Sequence, residues 1–251
     1  MSGGTASQYR PDGERSEARG DSNLGGARGI EAVRTHAGGL MLRGLFLASV
    51  IAAAIGGWAV ITVEQLPDYV TAGRPVTLSF TVRQHGVTRL SGLKPSIEAR
   101  SGDLTTTATA SPGRETGQYA STLSLPRAGE WTITIHSGFL DRQVTLLPLS
   151  VIAPGAATPP SPSEPERGRR LFVAKGCVTC HVHREVAGSG VVAVGPELTN
   201  HPLPMDYLKQ FLANPAIAPQ SGTVRMPDLG LAPQEIAALA AFLSTERQAL
   251  R

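Results

Sequence analysis

The sequence predicts a multidomain chain: an apolar N-terminal segment that is either a membrane helix or an export signal, then an all-β sandwich, then a small all-α domain. Three observations carry that division. Gly44 to Val63 runs about twenty residues without a charge, the length that crosses a bilayer. From about residue 60 apolar and polar residues alternate, as in half-buried strands. Beyond a proline-rich stretch the spacing turns helical, and the chain's two cysteines stand three positions apart.

Composition narrows the field before any motif is read. A net charge of +3 is spread over scattered arginines with few aromatics between them, which is not the basic stripe that a phosphate backbone demands, so nucleic acid is excluded as a partner. One disulfide between Cys177 and Cys180 would close so short a loop that it would restrict the unfolded chain little. The cysteines call for another explanation.

Residues 1–39 are rich in Gly, Ser, Arg and acidic groups without apolar periodicity, and are expected to be disordered. Residues 40–63 have two readings. As an uncleaved anchor, residues 44–63 hold the chain in the membrane; Arg34 and Arg43 precede them and Glu64 and Asp68 follow, so everything downstream faces the periplasm or the cell exterior. As a cleaved signal starting at Met41, MLRGLFLASVIAAAIGGWA offers a short basic region, an apolar stretch and small residues at Gly57 and Ala59 for cleavage, leaving a soluble periplasmic protein. Both readings export the rest, and both Met1 and Met41 remain possible starts.

Residues 60–152 read as seven short strands: VITVEQL, PVTLSFTVR, LKPSIEAR, LTTTATA, QYASTLSL, EWTITIH and QVTLLPLSVI. In PVTLSFTVR, Val76, Leu78, Phe80 and Val82 share one face and Thr77, Ser79 and Thr81 the other. With Gly and Pro turns between the runs, this pattern indicates an immunoglobulin-like sandwich with Tyr119 and Trp131 as its large core residues. The run G-Q-Y…L-P-x-A-G-E-W resembles small periplasmic Ig-like or copper-handling modules. A blue-copper site needs two His, a Cys and usually an axial Met, whereas this stretch has only His85 and His136, expected at the surface or rim.

Residues 153–165 form a proline-rich linker, a semi-rigid spacer able to reach about 40 Å when extended, so the last domain, 166–251, is expected to hang on a tether. That domain opens on CVTCH, the C-x-x-C-H attachment signature of c-type haem. The spacing places the sulfurs of Cys177 and Cys180 on one side of a helical turn, where each can form a thioether with a porphyrin vinyl group, and His181 becomes the proximal iron ligand. Cys177, Cys180, His181 and His183 also contain enough donors for zinc, and C-x-x-C alone could be a redox dithiol. Zinc is disfavoured by the strain of adjacent ligands at 180 and 181, the dithiol by the lack of a βαβ pattern.

Around that motif the chain resembles a small class I cytochrome c, over about residues 163–248. Gly168 and Phe172, in the family's G-x-x-x-[FY] position, lie on one face of a helix before the haem motif, and in the family this face crosses the last helix. Gly195-Pro196-Glu197-Leu198 fits the family's G-P-x-L loop; the resemblance implies that the Pro196 carbonyl accepts the Nδ1–H of His181 and that Leu198 touches the porphyrin. MDYLKQFLANP reads as a short helix with Tyr207, Leu208 and Phe211 on its apolar side. Met226, in an M-P step before the last helix, is implied as the sixth ligand; Met205, His183 and His201 remain rivals, as does an open iron. The last helix starts near Pro233, with Ala232 where the family often carries a Ser or Thr cap.

One covalently bound haem c with both axial positions filled implies a single-electron carrier rather than an enzyme, exchanging electrons with redox protein partners. The alternatives are a haem-bearing relay subunit of a larger oxidase or dehydrogenase, and a haem sensor or peroxidase with an open iron. Residues 162–251 carry nine basic and eight acidic residues, so no strong field selects the partner's charge.

Overall fold

The structure is a computed structural model that describes residues 57–186, 191–199, 203–217 and 225–244. Two sheets form the β-domain. The first contains β1 (Ala59–Val63), β3 (Pro75–Gln84), β8 (Gln118–Ser124) and β7 (Ser111–Pro112) in that order, with β4 (Thr88–Arg89) paired to β3. The second runs β2 (Tyr69–Thr71), β11 (Leu149–Ile152), β9 (Gly129–His136), β5 (Ser96–Ser101), β6 (Leu104–Thr109), with β10 (Gln143–Thr145) also on β9. Among the described strands only β2 and β11 pair in parallel. The run QVTLLPLSVI divides at Leu147-Pro148 into β10 and β11, because proline cannot donate to a ladder.

Alternation builds the interior between the sheets. Leu78, Phe80, Val82, Ile97, Ile133 and Ile135 are sealed from solvent. Two large polar-tipped rings lie among them with their tips satisfied: Trp131 Nε1–H donates to the Arg127 carbonyl at 2.8 Å, and Tyr119 O–H to that of Leu90 at 2.8 Å.

β1 departs from the alternation, since all five residues AVITV are buried. Ile61 and Val63 face the sandwich core, while Val60 and Thr62 are covered from outside by the helical domain. A strand buried on both faces reads as a continuous apolar run. At the end of the apolar segment 44–63, positions 59–63 are a sheet strand in register with Phe80–Gln84. The remainder of that segment to residue 56, with residues 1–39, lies outside the described residues. Among the described residues no helix is long and apolar enough to cross a membrane.

Among the described residues three α-helices follow: α1 (Glu164–Ala174), α2 (Met205–Ala213) and α3 (Pro233–Leu243). α1 begins with Glu164 and Glu166 at its positive end and stops where Gly176 takes φ 78°, a left-handed residue that only glycine adopts freely. α1 and α3 cross at Gly168: a Cβ there would stand 2.6 Å from the carbonyl carbon of Ala238 and 2.7 Å from Phe242 Cβ. α2 buries Leu208 and Leu212, four apart. The expected apolar side is therefore shifted: Tyr207 is 39% exposed and stacks on Phe211 at 5.8 Å along the outer flank.

Polar contacts join the helical domain to the β-domain beyond the proline-rich spacer. Arg170 donates to the carbonyls of Asp68 (3.1 Å) and Pro148 (2.8 Å), and Lys175 Nζ to that of Glu64 (2.8 Å). The Thr62 hydroxyl donates to the Lys175 carbonyl at 3.4 Å. Lys175 and Glu235 form an ion pair at 2.6 Å, with side chains 5% and 17% exposed. One hydrophobic cluster runs unbroken from Phe80 and Trp131 to Phe172 and Leu239.

Candidate haem site

Cys177–Thr179 form a single 3₁₀ turn just beyond α1, so the cysteines sit on a tight turn rather than within the helix. The N–H groups of Cys180 (3.1 Å) and His181 (2.9 Å) both point to the Cys177 carbonyl. This closes the turn and sets the three side chains in one local frame. Both cysteines are free thiols and half-buried. Burial pushes the Cys177 thiol up to about 12, with Cys180 adding to the rise, and burial pushes Cys180 up to about 11. With no metal bound, burial thus favours the neutral thiol at both sulfurs.

His181 is held by the loop 191–198. Three backbone bonds lay that loop along the motif: Val192 N–H to the Thr179 carbonyl, Gly195 N–H to Cys180 and Leu198 N–H to Val182, each 2.9 Å. The loop then offers the Pro196 carbonyl to His181 Nδ1 at 2.9 Å. Gly195 lies flat against the ring; a Cβ there would stand 2.5 Å from Cε1 and 2.7 Å from Nδ1. With Nδ1–H donating to Pro196, Nε2 keeps its lone pair. Burial, partly offset by that carbonyl, holds the imidazole pKa below its ordinary value and so favours the neutral, coordinating form.

Leu198 and Met226 are half-buried and pack, with Cys177, on the common hydrophobic cluster. The rivals for the sixth position are placed differently. Met205 opens α2 with 41% of its surface exposed. His183 is turned inward between Phe172 and Phe242, its ring 4.5 Å from the latter, and its Nδ1 accepts the Glu185 N–H at 3.3 Å. That orientation takes His183 out of a common set with Cys177, Cys180 and His181, and among the described residues no three His, Cys, Asp or Glu converge as a metal cluster. His201 lies outside the described residues. In the β-domain, His85 packs against Trp58 at 5.5 Å and His136 ends β9, half-buried.

The donor set therefore fits a c-type haem: two neutral thiols and a neutral imidazole fixed through Nδ1, against a glycine that leaves no room for a side chain. What sequence reasoning missed is Lys175, which precedes this turn by two residues and ties it to both α3 and β1. An isolated lysine carries no sequence signal for such a role.

Residues 165–246 match the protein family described as Cytochrome c. No curated protein sequence matches the chain. Among solved structures, the chain is similar to S-layer protein SbsC domains 4 and 5 (23% identity, 37% of this chain, 51% of that one, TM-score 0.27). It is also similar to E. coli alpha-2-macroglobulin (18%, 39% and 6%, TM-score 0.30) and to a superoxide reductase (neelaredoxin) from Ignicoccus hospitalis (14%, 40% and 86%, TM-score 0.26). The chain spans 17%, 51% and 6% of the first three structures it matches.

Proposed function

We propose, on the premise that residues 165–246 form a cytochrome c domain and hence a haem-binding electron-transfer module, that this chain is an exported carrier of single electrons between redox protein partners. Cys177 and Cys180 would hold one haem c covalently, and His181 and Met226 would supply its axial ligands. The observation that carries this reading is the 2.9 Å bond from His181 Nδ1 to the Pro196 carbonyl, since fixing that tautomer leaves Nε2 with the lone pair a metal ligand needs. Bound there, the cofactor supplies a reversible one-electron iron couple.

The chain's own residues do the rest. Pro196 orients the imidazole and raises its basicity, and Gly195 sets the ring's resting position. Export follows from c-type maturation, which takes place outside the cytoplasm. With residues 59–63 serving as a strand, the apolar run left from Gly44 to Trp58 is shorter than the roughly 20 residues of a membrane span and favours a signal-type segment over an anchor.

The fastened β-domain favours a second form of the same reading, a relay subunit seated in a larger oxidase or dehydrogenase. Native-extract size exclusion separates the two: haem eluting at the chain's own mass supports the carrier, and haem eluting with a large assembly supports the relay. For the axial assignment, the reduced, haem-loaded protein is exposed to carbon monoxide. Refusal by the unmodified chain and prompt binding by Met226→Ala, with Met205→Ala unchanged, are expected; prompt binding by the unmodified chain overturns a closed iron.

A further inference from the structure

The β-domain touches the haem domain at a second place, on the segment that carries Met226. β3 and β4 are joined by a tight turn in which His85 and Gly86 take φ 52° and 76° and Val87 N–H donates to the Gln84 carbonyl at 3.0 Å. Positive φ at both central residues marks the primed hairpin turn, and histidine is among the residues that tolerate it. The turn points Gly86 at Pro227: a Cβ on Gly86 would lie 3.1 Å from Cγ and 3.7 Å from Cδ of that ring, and 3.7 Å from Val60 Cγ2. Gly86 is buried although both its neighbours are exposed.

Beside this contact stands a buried cation. Arg83, 8% exposed, donates to the Thr62 hydroxyl at 3.2 Å. Burial and then Arg89 push its pKa below the ordinary guanidinium range, while Glu64, Glu115 and Asp228 oppose that shift. Asp228 follows Pro227, and its exposed carboxylate also accepts the Gly230 N–H at 2.9 Å. Met226, Pro227 and Asp228 are thus consecutive residues, with Pro227 against the β3–β4 turn and Asp228 carrying a charge that attracts Arg83. Proline's fixed φ makes the segment stiff, so a displacement of Pro227 is passed to Met226 one peptide away.

We propose that the β3–β4 turn is a positioning element for the sixth ligand, in which Gly86 and Arg83 hold Pro227 and Asp228 and thereby keep Met226 at the iron. The inference rests on the assignment of Met226 as that ligand. Without the β-domain's grip the segment would open more often, and an external ligand would compete in proportion to the open fraction.

The test uses the full, haem-loaded chain in its ferric form, with two readouts: the weak far-red band of a thioether–iron bond and the affinity for added imidazole. Gly86→Leu puts a side chain where the Pro227 ring lies. Asp228→Asn removes the charge that attracts Arg83 yet keeps an oxygen for Gly230. Gly86→Leu is expected to weaken the band and to bind imidazole about fivefold tighter or more, and Asp228→Asn to bind it about twofold tighter. If the unmodified chain shows the band, Met226→Ala loses it, and Asp228→Asn and any folded Gly86→Leu match the unmodified chain in both readouts, the positioning role is overturned alone. If Met226→Ala leaves the spectrum unchanged, the ligand assignment fails and the positioning role with it. Asp228→Asn, on an exposed side chain, decides the matter should Gly86→Leu not fold.

Discussion

Lys175 and Glu235 meet at 2.6 Å with water nearly excluded, and the pair joins three segments distant in sequence. Lys175 ends α1 and donates to the Glu64 carbonyl beside β1; Glu235 opens α3 and accepts the Ala232 N–H at 3.1 Å. Glu235 thus supplies half of a capping box whose other half Ala232 cannot provide. Removing one partner of such a pair leaves a buried charge uncompensated. Lys175→Met is expected to cost about 3 kcal/mol in urea unfolding. A midpoint equal to that of the unmodified chain would show that the pair does not hold the domains together.

The α1–α3 crossing has no space for a side chain at Gly168, where a methyl would press on the Ala238 carbonyl and on Phe242. Gly168→Ala should destabilise the helical domain by about 1–3 kcal/mol, the usual cost of overpacking, although alanine is the better helix former. Thermal unfolding followed at the haem absorbance measures it; an unchanged or raised midpoint contradicts the close approach.

Thiol burial gives the haem-free chain a particular alkaline slope. Folding raises Cys177 to about 12 and Cys180 to about 11, so the folded state retains protons that the unfolded state releases from about 9 upward. The stabilisation is complete below about pH 9 and is lost as pH climbs through these raised values. The haem-free Cys177→Ser/Cys180→Ser variant should lack that component, and the difference between the two stability curves from pH 8 to pH 11 reads it directly. Parallel curves would mean that the thiols are not buried.

Gly195→Ala places a methyl against the His181 ring and should turn the imidazole away from the Pro196 carbonyl. Loss of a partner that orients a metal ligand typically costs about 10–100-fold in affinity or activity. The expected results are a lower yield of haem-loaded protein and a higher apparent pKa for loss of the proximal imidazole on acid titration, because a more weakly held ligand is protonated off at milder acidity. An acid titration unchanged from the parent contradicts the orienting role.

The parts of this molecule legible from sequence are those whose chemistry is contiguous. CVTCH and GPEL each need only neighbouring residues, and strands such as Pro75–Gln84 announce themselves by period two because one face meets the core and the other meets water. β1 defeats that logic: Val60 and Thr62 are covered by the helical domain, so its pattern is apolar throughout and merges with the segment before it. The docking of the two domains was likewise hidden. Lys175, Arg170 and Thr62 are each ordinary polar residues, and only the fold brings Lys175 to Glu235, sixty positions away. A proline-rich linker says how far a domain can reach and nothing about whether it is fastened.

Attachment of the haem is tested most directly by unfolding the purified, export-matured protein in denaturant and extracting it with acidified organic solvent. Sulfur bridges from Cys177 and Cys180 would keep the red chromophore on the polypeptide, with a mass increase of one haem, and Cys177→Ala/Cys180→Ala would surrender it to the solvent. Colour passing into the organic phase from the unmodified chain, or a chain that never acquires colour, would contradict covalent attachment at this turn.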